Sequence, residues 1–536
     1  MKKICCCFLF LSAIVTFAQK PKVTEDFTLT VGPKYKRISN VNEYHFAYGQ
    51  QLLSLKKINK AFAVQRHSLR NLTTQPTKTT LSDKGDFVGA LQLKDTVLVY
   101  FRQKNKLISQ KLQISINQTF SSETVVSATN TIADDFGFSS RFGYDAGNRI
   151  NAFAIKKSVD QSKFVVLYTD NKKTNSEDGI LKSKLNIHIY DADMTLDSKR
   201  SIPLPYHYKK INTDDFMVDA EGNFFVLASI FEKERTIFGK RTKEDADFHM
   251  ELFKLSKDSE NWEIKKIETE KSIEDAVLYL DAFKKPVIVG FYAEKQVKGY
   301  VTGSFSATIG EETKISPVLH PIAIDTIKAY EKRKAIQIKR GQRYVDDKED
   351  MEDLRINKVS VQNDGSFTIF AEQRYTLRNS YYANGATTIN YEYYYKTAYA
   401  CKLDGKGNLL WFNQLPKNQY GRRGKQMMSY QTLKFGNYHY ILVWDKFANL
   451  YKTIGEFAEI LETNRREYMF LATYKINDIT GEVEKLPIVN SLEVDKFRLS
   501  SFKMDKAVLV NESDIIYEGY DGRGKNYLFR LQLNQN

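Results

Sequence analysis

Four aspartates recur beside similar glycine-containing turns of the sequence, and carboxylates could act there as general acids or bases. They are Asp145, Asp219, Asp364 and Asp404. Two such groups facing each other across a channel would form the carboxylate pair of a glycosidase. Asp is also favoured in tight turns, because its side chain accepts hydrogen bonds from nearby backbone N–H groups. Turn formation accounts for all four positions, so we expect them to be structural and name no catalytic residue.

Histidine is the second candidate for chemistry, as a metal ligand or a proton carrier. No histidine lies three or four residues from another or beside a cysteine, so the short ligand spacing of a zinc site is absent. We predict no metal and no cofactor, although ligands assembled from distant repeats would leave no such spacing. We expect each of the seven to be structural or exposed: His45, His67, His188, His207, His249, His320 and His439.

Other catalytic motifs are missing from the sequence. No Gly-rich phosphate loop joins a strand to a helix, and there is no G-x-S-x-G elbow. Cys401 alternates with Tyr399 and Leu403 in a strand pattern. Free cysteine behaves as a small apolar residue, so we predict that Cys401 is buried and is not a nucleophile.

Two stretches could form a binding surface. Tyr391, Tyr393, Tyr394 and Tyr395 could stack on sugars, and the loop at 420–425 could pair with anions through its Arg and Lys residues. The tyrosine row also fits an alternating strand that places half of its rings in the core, and we favour that interpretation. A solvated connector explains the loop equally well, so binding residues stay unassigned.

A repeated pattern of two hairpins must position these residues. The stretch 358–419 contains one full copy. Its first half is a strand, an Asp/Asn/Gly turn and a buried strand, as in 219–229 and 362–372. Its second half is a strand, an acidic or Gly turn and a strand, as in 398–416. Two joined hairpins form a four-stranded antiparallel sheet, which cannot bury both faces unless copies stack.

The copies predict an all-β propeller of about eight blades, with seven as the alternative. We place the buried second strands of successive blades at an early copy near Leu53 and then at Val99, Ala154, Val226, Val289, Ile369, Val443 and Ile516. The final copy lacks a fourth strand, which the isolated strand Thr24 to Val31 could supply. Two β-sandwiches in tandem are the competing arrangement, but no linker divides the chain.

One interval interrupts the repeats. Residues 321–354 are highly charged, with a basic half followed by an acidic half, and Asp325 is a plausible helix cap. We predict a short helical insertion or a solvated charged loop. Residues 19–536 would otherwise form a single propeller domain.

The first residues resemble a secretory signal peptide. Lys2 and Lys3 precede a short apolar run, and small residues stand before a cleavage site after Ala18. We therefore expect residues 1–18 to be removed and the chain to be exported to the periplasm, the outer membrane or the extracellular space. Cys401 would then be the only cysteine, so no internal disulfide could form. No later stretch is apolar for 18 residues, which predicts no transmembrane segment.

The formal net charge of +15 favours acidic partners. For an exported chain these would be an anionic polysaccharide, lipid headgroups or an acidic protein surface, whereas nucleic acid is not expected. Simple solubility explains the charge equally well, because the basic residues are scattered.

Several segments resemble an uncharacterised family of exported bacterial proteins with propeller-like repeats of the quinoprotein or WD type. The similar segments are AEQRYTL at 371–377, LDGKGNLLWFNQLPKNQ at 403–419 and LVWDKFANL at 442–450. The resemblance implies an exported propeller and supplies no activity. Only three tryptophans are present, Trp262, Trp411 and Trp444, whereas quinone-dependent dehydrogenase propellers repeat one in most blades.

Together these patterns favour a non-enzymatic propeller scaffold that binds an envelope or extracellular protein or an anionic polysaccharide. The alternative is a carbohydrate-active enzyme with acidic residues in the central channel.

Overall fold

A computed structural model describes most of the chain from Thr24 to Asn534. The gaps lie at 39–42, 59–60, 76–78, 83–84, 117–118, 129–131, 133–152, 171–173, 176–180, 208, 235–247, 295–300, 323–352, 384–385, 423–426, 453–455, 457, 464–468, 493 and 495–498. The described residues form an eight-bladed β-propeller of four-stranded antiparallel blades. The predicted fold class and the preferred blade number are therefore confirmed.

The first four blades follow in chain order after the N-terminal strands β1 (Phe27–Val31) and β2 (Tyr35–Lys36). Blade 1 contains β3 (Glu43–Tyr48), β4 (Gln51–Ile58), β5 (Ala61–Ser68) and β6 (Thr79–Ser82). Blade 2 contains β7 (Asp86–Leu93), β8 (Thr96–Gln103), β9 (Lys106–Gln113) and β10 (Thr119–Ser127). Blade 3 contains β11 (Ala154–Lys157), β12 (Lys163–Thr169), β15 (Lys184–Asp191) and β16 (Leu196–Pro203), with a small hairpin of β13 (Thr174–Asn175) and β14 (Leu181–Lys182). Blade 4 contains β17 (Ile211–Val218), β18 (Phe224–Phe231), β19 (Phe248–Leu255) and β20 (Glu263–Ile267).

The other four blades complete the ring. Blade 5 contains β21 (Ser272–Leu280), β22 (Pro286–Ala293), β23 (Gly303–Thr308) and β25 (Val318–Pro321), while β24 (Lys314–Ile315) pairs with β20. Blade 6 contains β26 (Leu354–Val361), β27 (Phe367–Ala383), β28 (Ala386–Leu403) and β29 (Leu409–Leu415), with β30 (Gln419–Gly421) and β33 (Leu461–Glu462) added. Blade 7 contains β31 (Tyr430–Phe435), β32 (Tyr438–Lys446), β34 (Met469–Asn477) and β35 (Val483–Asn490). Blade 8 contains β36 (Ser501–Phe502), β37 (Val508–Asn511), β38 (Asp514–Tyr520) and β39 (Lys525–Leu533). Two 3₁₀ helices are described, at Phe447–Asn449 and Met504–Lys506.

The hydrophobic core lies between the blades, and each pair of neighbouring blades shares one buried cluster. Blades 3 and 4 pack through Val165 and Val226, whereas the next residue of β18, Leu227, packs toward blade 5. Blade 8 packs on blade 1 in the same way, through Ile516 and Leu52. Second strands are therefore buried on both faces, which explains why they are continuous apolar runs in the sequence.

Carboxylates on the first strands tie neighbouring blades together. Asp215 in β17 accepts a hydrogen bond from the backbone N–H of Leu278 in β21, at 2.9 Å. Asp275 in β21 accepts one from the N–H of Ile356 in β26, at 2.7 Å. Each aspartate follows a β-bulge in its strand. A bulge redirects the local side chain, and here it allows a carboxylate to reach the next blade.

The ring closes within blade 8, where β1 pairs antiparallel with β39 from Phe27↔Leu533 to Val31↔Phe529. The predicted role of the N-terminal strand is thus confirmed. The prediction for Ala154 was wrong, because this residue opens the first strand of blade 3 and the buried second strand is β12. The signal segment 1–18, the Asp145 turn and nearly all of the charged insertion 321–354 lie outside the described residues.

Candidate binding face

The two faces of the propeller carry different connections. In an antiparallel blade, the turns between strands 1 and 2 and strands 3 and 4 lie on one face, and the 2–3 and 4–1 connections lie on the other. The turns between strands 1 and 2 hold two to five residues. The longest connections, 128–153, 232–247, 322–353 and 447–468, all belong to the second face. We call this the long-loop face, and elaborated loops of this kind commonly carry binding function.

A β-hairpin extends blade 6 on the long-loop face. β27 and β28 are 17 and 18 residues long, and they remain paired from Arg374↔Tyr395 to Ala383↔Ala386. We call residues 374–395 the hairpin arm. The stretch 358–419 contains one blade, as predicted, but the two middle strands of this blade also continue through residues 374–395. The missed signal is Asn384-Gly385, a dipeptide that strongly favours a two-residue hairpin connection.

The tip of the arm is exposed and uncharged. Residues 379–391 contain no Lys, Arg, Asp or Glu, in a chain that is 27% charged. Tyr382 is 75% exposed and Ile389 is 40% exposed. The tip is composed mainly of Tyr, Asn, Thr, Ala, Ser and Gly. Antibody loops that bind proteins use a similar mixture, because Tyr supplies rigid contact area while Ser, Asn and Gly supply adaptable hydrogen bonding.

The base of the arm is a packed tyrosine cluster. Tyr393, Tyr394 and Tyr395 are all buried, so the expectation that half of the row would face the core was wrong: both faces of the strand are covered. The Tyr394 ring stacks on Tyr375 at 4.8 Å between ring centroids and contacts Tyr420 at 5.0 Å. Aromatic pairs of this kind hold a defined geometry, which fixes the direction of the arm.

The loop that follows blade 6 also supports this base. Tyr420 lies in β30, which pairs with β28, and its hydroxyl donates to Glu392 at 3.1 Å. Arg422 is 69% exposed, lies 3.3 Å from Glu392 and donates to the Tyr420 hydroxyl. The proposed basic loop at 420–425 is therefore partly structural, and its residues 423–425 lie outside the described part of the chain.

A buried ion pair anchors the arm beneath the tyrosines. Lys417 and Glu372 lie 2.5 Å apart, and both side chains are at most 1% exposed. Lys417 also donates to the Tyr395 carbonyl at 2.9 Å, while the Ser429 hydroxyl donates to Glu372 at 2.8 Å. Burial lowers the pKa of Lys417, whereas Glu372 opposes this shift. The bonds join the arm to the chain entering blade 7.

A second buried network fixes the long connection of blade 7. Asp445 lies 2.6 Å from Lys485, and Asn449 donates to Asp445 at 2.6 Å. Asn449 also accepts from the N–H of Glu459 at 2.8 Å and donates to its carbonyl at 2.9 Å. These bonds allow β33 to lie parallel to β30. Parts of the three segments that resemble the exported family, 371–373, 416–419 and 442–450, thus meet around the base of the arm.

The aspartates at recurring turns have the predicted structural role where they are described. Asp219 accepts from the Asn223 N–H at 2.8 Å, and Asp364 accepts from the Ser366 N–H at 2.9 Å. Asp404 accepts from the Asn408 N–H at 2.8 Å. All three lie in 1–2 or 3–4 turns, on the face opposite the arm.

Cys401 is fully buried in β28, as predicted, and burial raises the pKa of its thiol to about 12. Such a thiol stays protonated at neutral pH and is a poor nucleophile. His439 is also buried and lies 2.8 Å from Asp478 at the junction of blades 6 and 7. His45 and His67 lie at the junction of blades 1 and 8, linked through Ser54. That junction brings together residues from opposite ends of the chain, which sequence spacing could not reveal.

Comparisons with known proteins return similar solved structures and little else. No protein-family model and no curated protein matches the chain. An uncharacterised protein from Listeria monocytogenes is 10% identical, with a TM-score of 0.37 over 83% of this chain and 94% of that one. A quinohemoprotein alcohol dehydrogenase from Pseudomonas putida is 12% identical, with a TM-score of 0.41 over 94% of this chain and 76% of that one. The Dos1 propeller is 8% identical, with a TM-score of 0.39 over 94% and 95%.

Among the described residues, no helix has the length and apolar character needed to cross a membrane.

Proposed function

We propose that this chain is an exported, non-enzymatic propeller scaffold and that its hairpin arm binds a protein partner in the cell envelope or outside the cell. The observation that carries the proposal is the combination of a rigid base and an exposed, uncharged tip. A buried ion pair and stacked tyrosines fix the arm, so little conformational entropy is lost when its tip binds. The rest of the propeller supplies a stable disc from which the arm projects.

The chemistry of the tip favours a protein surface over an anionic polysaccharide. Binding a polyanion relies on Lys and Arg, and residues 379–391 contain neither. Exposed Tyr382 and Ile389 instead offer aromatic and apolar contact area, and aromatic residues are enriched at protein interfaces. The overall positive charge would act at longer range, by attracting an acidic partner before contact.

Site-specific photo-crosslinking tests the proposal with a matched control. A photoreactive phenylalanine analogue replaces Tyr382 at the arm or Phe283 in a 1–2 turn on the opposite face. The two native side chains are 75% and 76% exposed, so the probes are equally accessible. In cells that produce the protein, we expect one discrete protein adduct from position 382 and none of that mass from position 283.

Shortening the arm provides the second control. Residues 379–390 are replaced by Asn-Gly, which keeps the native Arg378↔Tyr391 pair beside the new turn and leaves the buried tyrosines in place. We expect the thermal midpoint to stay within a few degrees and partner recovery to fall at least tenfold. The proposal is wrong if the shortened chain recovers the same proteins as the wild type, or if position 382 yields no adduct. If either result is obtained and the shortened chain is still retained on an anionic polysaccharide column, binding belongs to another surface of the propeller.

A further inference from the structure

Two glutamates and a histidine from opposite ends of the chain meet where the ring closes. Glu43 and His45 lie on β3 in blade 1, and Glu518 lies on β38 in blade 8. One side-chain nitrogen or oxygen atom of each lies within 4.8 Å of the others. The three side chains are only 12%, 3% and 4% exposed. Carboxylate and imidazole groups gathered in this way are typical metal ligands.

The His45 ring is held at one nitrogen and open at the other. Its Nδ1 lies 2.7 Å from the Ser54 hydroxyl, which in turn lies 2.9 Å from His67. Its Nε2 is buried and has no hydrogen-bond partner among the described residues. The nearest carboxylate oxygen, Glu518 Oε2, is 3.8 Å away, which is too far for a hydrogen bond. Buried polar atoms almost always have a partner, so this gap indicates a bound water or ion.

The two oxygens of Glu518 have different roles. Oε1 accepts a hydrogen bond from Asn526 at 2.8 Å, and it also accepts hydrogen bonds from the Tyr35 hydroxyl and the Lys56 ammonium group. Oε2 faces His45. Ligating carboxylates commonly hold outer partners on one oxygen while the other binds the metal, and ligating histidines commonly hold their second nitrogen in a hydrogen bond. Both arrangements are present here.

We propose that Glu43, His45 and Glu518 bind one divalent transition-metal ion of the zinc class. Zinc lies about 2.0–2.1 Å from an imidazole nitrogen and about 2.0–2.2 Å from a carboxylate oxygen. Two tetrahedral ligands are then separated by roughly 3.3 Å. The 3.8 Å gap between His45 and Glu518 is close to that separation.

Two lysines compete with the ion to different extents. Lys56 is fully buried, and it contacts the Glu518 oxygen that faces away from the proposed site. Lys503 lies 3.3 Å from Glu43 and is 15% exposed. Binding a cation therefore requires Lys503 to withdraw from Glu43 toward solvent. Replacing Lys503 with an uncharged side chain should tighten metal binding, because it removes both the competition and the repulsion.

The bound ion would fasten blade 1 to blade 8. Glu43 and His45 come from one blade and Glu518 from the other, so the coordination bonds cross the junction at which the ring closes. Any ligand that binds only the folded state raises its stability. The site is therefore expected to be structural, and it is independent of partner binding at the arm.

Equilibrium dialysis of the full chain against ZnCl₂ tests the site. The protein is first stripped with a chelator, and bound zinc is then measured alongside thermal unfolding. We expect one zinc per chain and a higher thermal midpoint with zinc. His45→Gln should weaken the Kd at least tenfold, whereas Lys503→Met should strengthen it. His188→Gln is the matched control, because His188 is also buried but has tyrosines as its neighbours.

Three results would overturn the inference. The wild type could bind no stoichiometric zinc, His45→Gln could bind zinc as tightly as the wild type, or His188→Gln could lose as much zinc affinity as His45→Gln. The first result would assign the gap beside His45 to water. If His45→Gln fails to fold by circular dichroism, Glu43→Gln replaces it, because Glu43 is the most exposed of the three ligands. Cobalt substitution adds an independent readout, since a visible spectrum typical of nitrogen and oxygen ligands should appear and should be lost in the ligand variant.

Discussion

Many of the charged side chains whose residue type suggests catalysis bond one part of the ring to another. Asp215 and Asp275 accept from backbone N–H groups of the next blade. Asp478 joins blade 7 to blade 6 through Lys402 and also contacts His439 of its own blade, each at 2.8 Å. Although burial raises the pKa of the Asp478 carboxyl, hydrogen bonds from His439 and Lys402 hold that pKa well below its usual range, so the group is poorly suited to proton transfer near neutral pH. The blade junctions therefore contain specific polar contacts in addition to their apolar packing.

Substitutions of Glu372 and Lys417 are expected to have strongly coupled effects on the free energy of unfolding. Removing one member of a buried ion pair leaves an uncompensated charge and typically costs about 3–5 kcal/mol. We therefore expect Glu372→Gln and Lys417→Met each to lower the free energy of unfolding by roughly that amount. The double variant should lose less than the sum of the two, because neither charge is then buried alone. Urea denaturation of the four proteins measures the coupling.

An exposed ion pair serves as the control for that prediction. Lys314 and Glu268 form a surface pair at 2.6 Å with side chains 62% and 43% exposed, and breaking it should cost less than about 1 kcal/mol. Equal losses at the buried and exposed pairs would contradict the assigned role of Glu372. Strictly additive losses in the buried double variant would contradict it as well.

His188 should make folding stability depend on pH. It lies between Tyr168 and Tyr190, near Lys199, and burial lowers its pKa to about 4 from 6.5. Between these values the unfolded chain binds a proton that the folded chain does not. The stabilisation is therefore complete above pH 6.5 and is lost as the pH falls toward 4, with a slope of up to about 1.4 kcal/mol per pH unit.

Denaturation curves between pH 7.5 and pH 4.5 measure this slope. The variant His188→Gln should show a shallower dependence than the wild type. The control Ile479→Ala changes an exposed side chain that does not titrate, so it should keep the wild-type slope. If His188→Gln and the wild type lose stability in parallel, His188 is not the group that titrates.

At the level of elements, the blades could be predicted from the sequence because their pattern is local. Each hairpin turn has its own Asp, Asn or Gly, and each second strand is a continuous apolar run. Ala154 was misplaced because the turn pattern at Asp145 was interpreted as the turn between the first two strands of blade 3, whereas that turn lies at 158–162, between β11 and β12. The closing strand β1 was predictable because an isolated alternating strand must find a partner.

The hairpin arm and the ring junction were less predictable for different physical reasons. Residues 379–388 show no regular alternation of apolar and polar side chains, so only Asn384-Gly385 indicates a hairpin in this part of the arm. Burial of three successive tyrosines depends on β30, which pairs with their strand, and on Met428, which packs against them, and this is a tertiary effect. The cluster of Glu43, His45 and Glu518 depends on ring closure, because its members lie in the first and last blades.

At the scale of the whole molecule, a single shared blade holds the ring closed. The N-terminal strand β1 completes blade 8, and Asp26 adds an ion pair to Lys475 of blade 7 at 2.7 Å. The two ends of the described chain are neighbours, since the Asn534 N–H donates to the Asp26 carbonyl at 2.8 Å. A short linker could therefore join them and allow new ends to be opened elsewhere.

Two circular permutants separate the contribution of this closure from that of the blades. Opening the chain between Pro205 and Tyr206, in the connection from blade 3 to blade 4, makes every blade continuous, and no strand pairing of the described residues then joins the two chain ends. Opening it between Lys233 and Glu234, after β18, leaves blade 4 shared by both ends. The two proteins keep the same blades and the same linker, and differ in whether backbone hydrogen bonds between the chain ends close the ring.

We expect the first permutant to unfold about tenfold faster than the second, which corresponds to ~1.4 kcal/mol of the unfolding barrier. Without a shared blade, the ring can open by separating two packed blade faces while every strand ladder stays intact. With a shared blade, opening must also break a ladder of backbone hydrogen bonds. Stopped-flow unfolding in urea measures both rates. Equal rates would mean that the side-chain clusters between blades hold the ring without help from the shared strand.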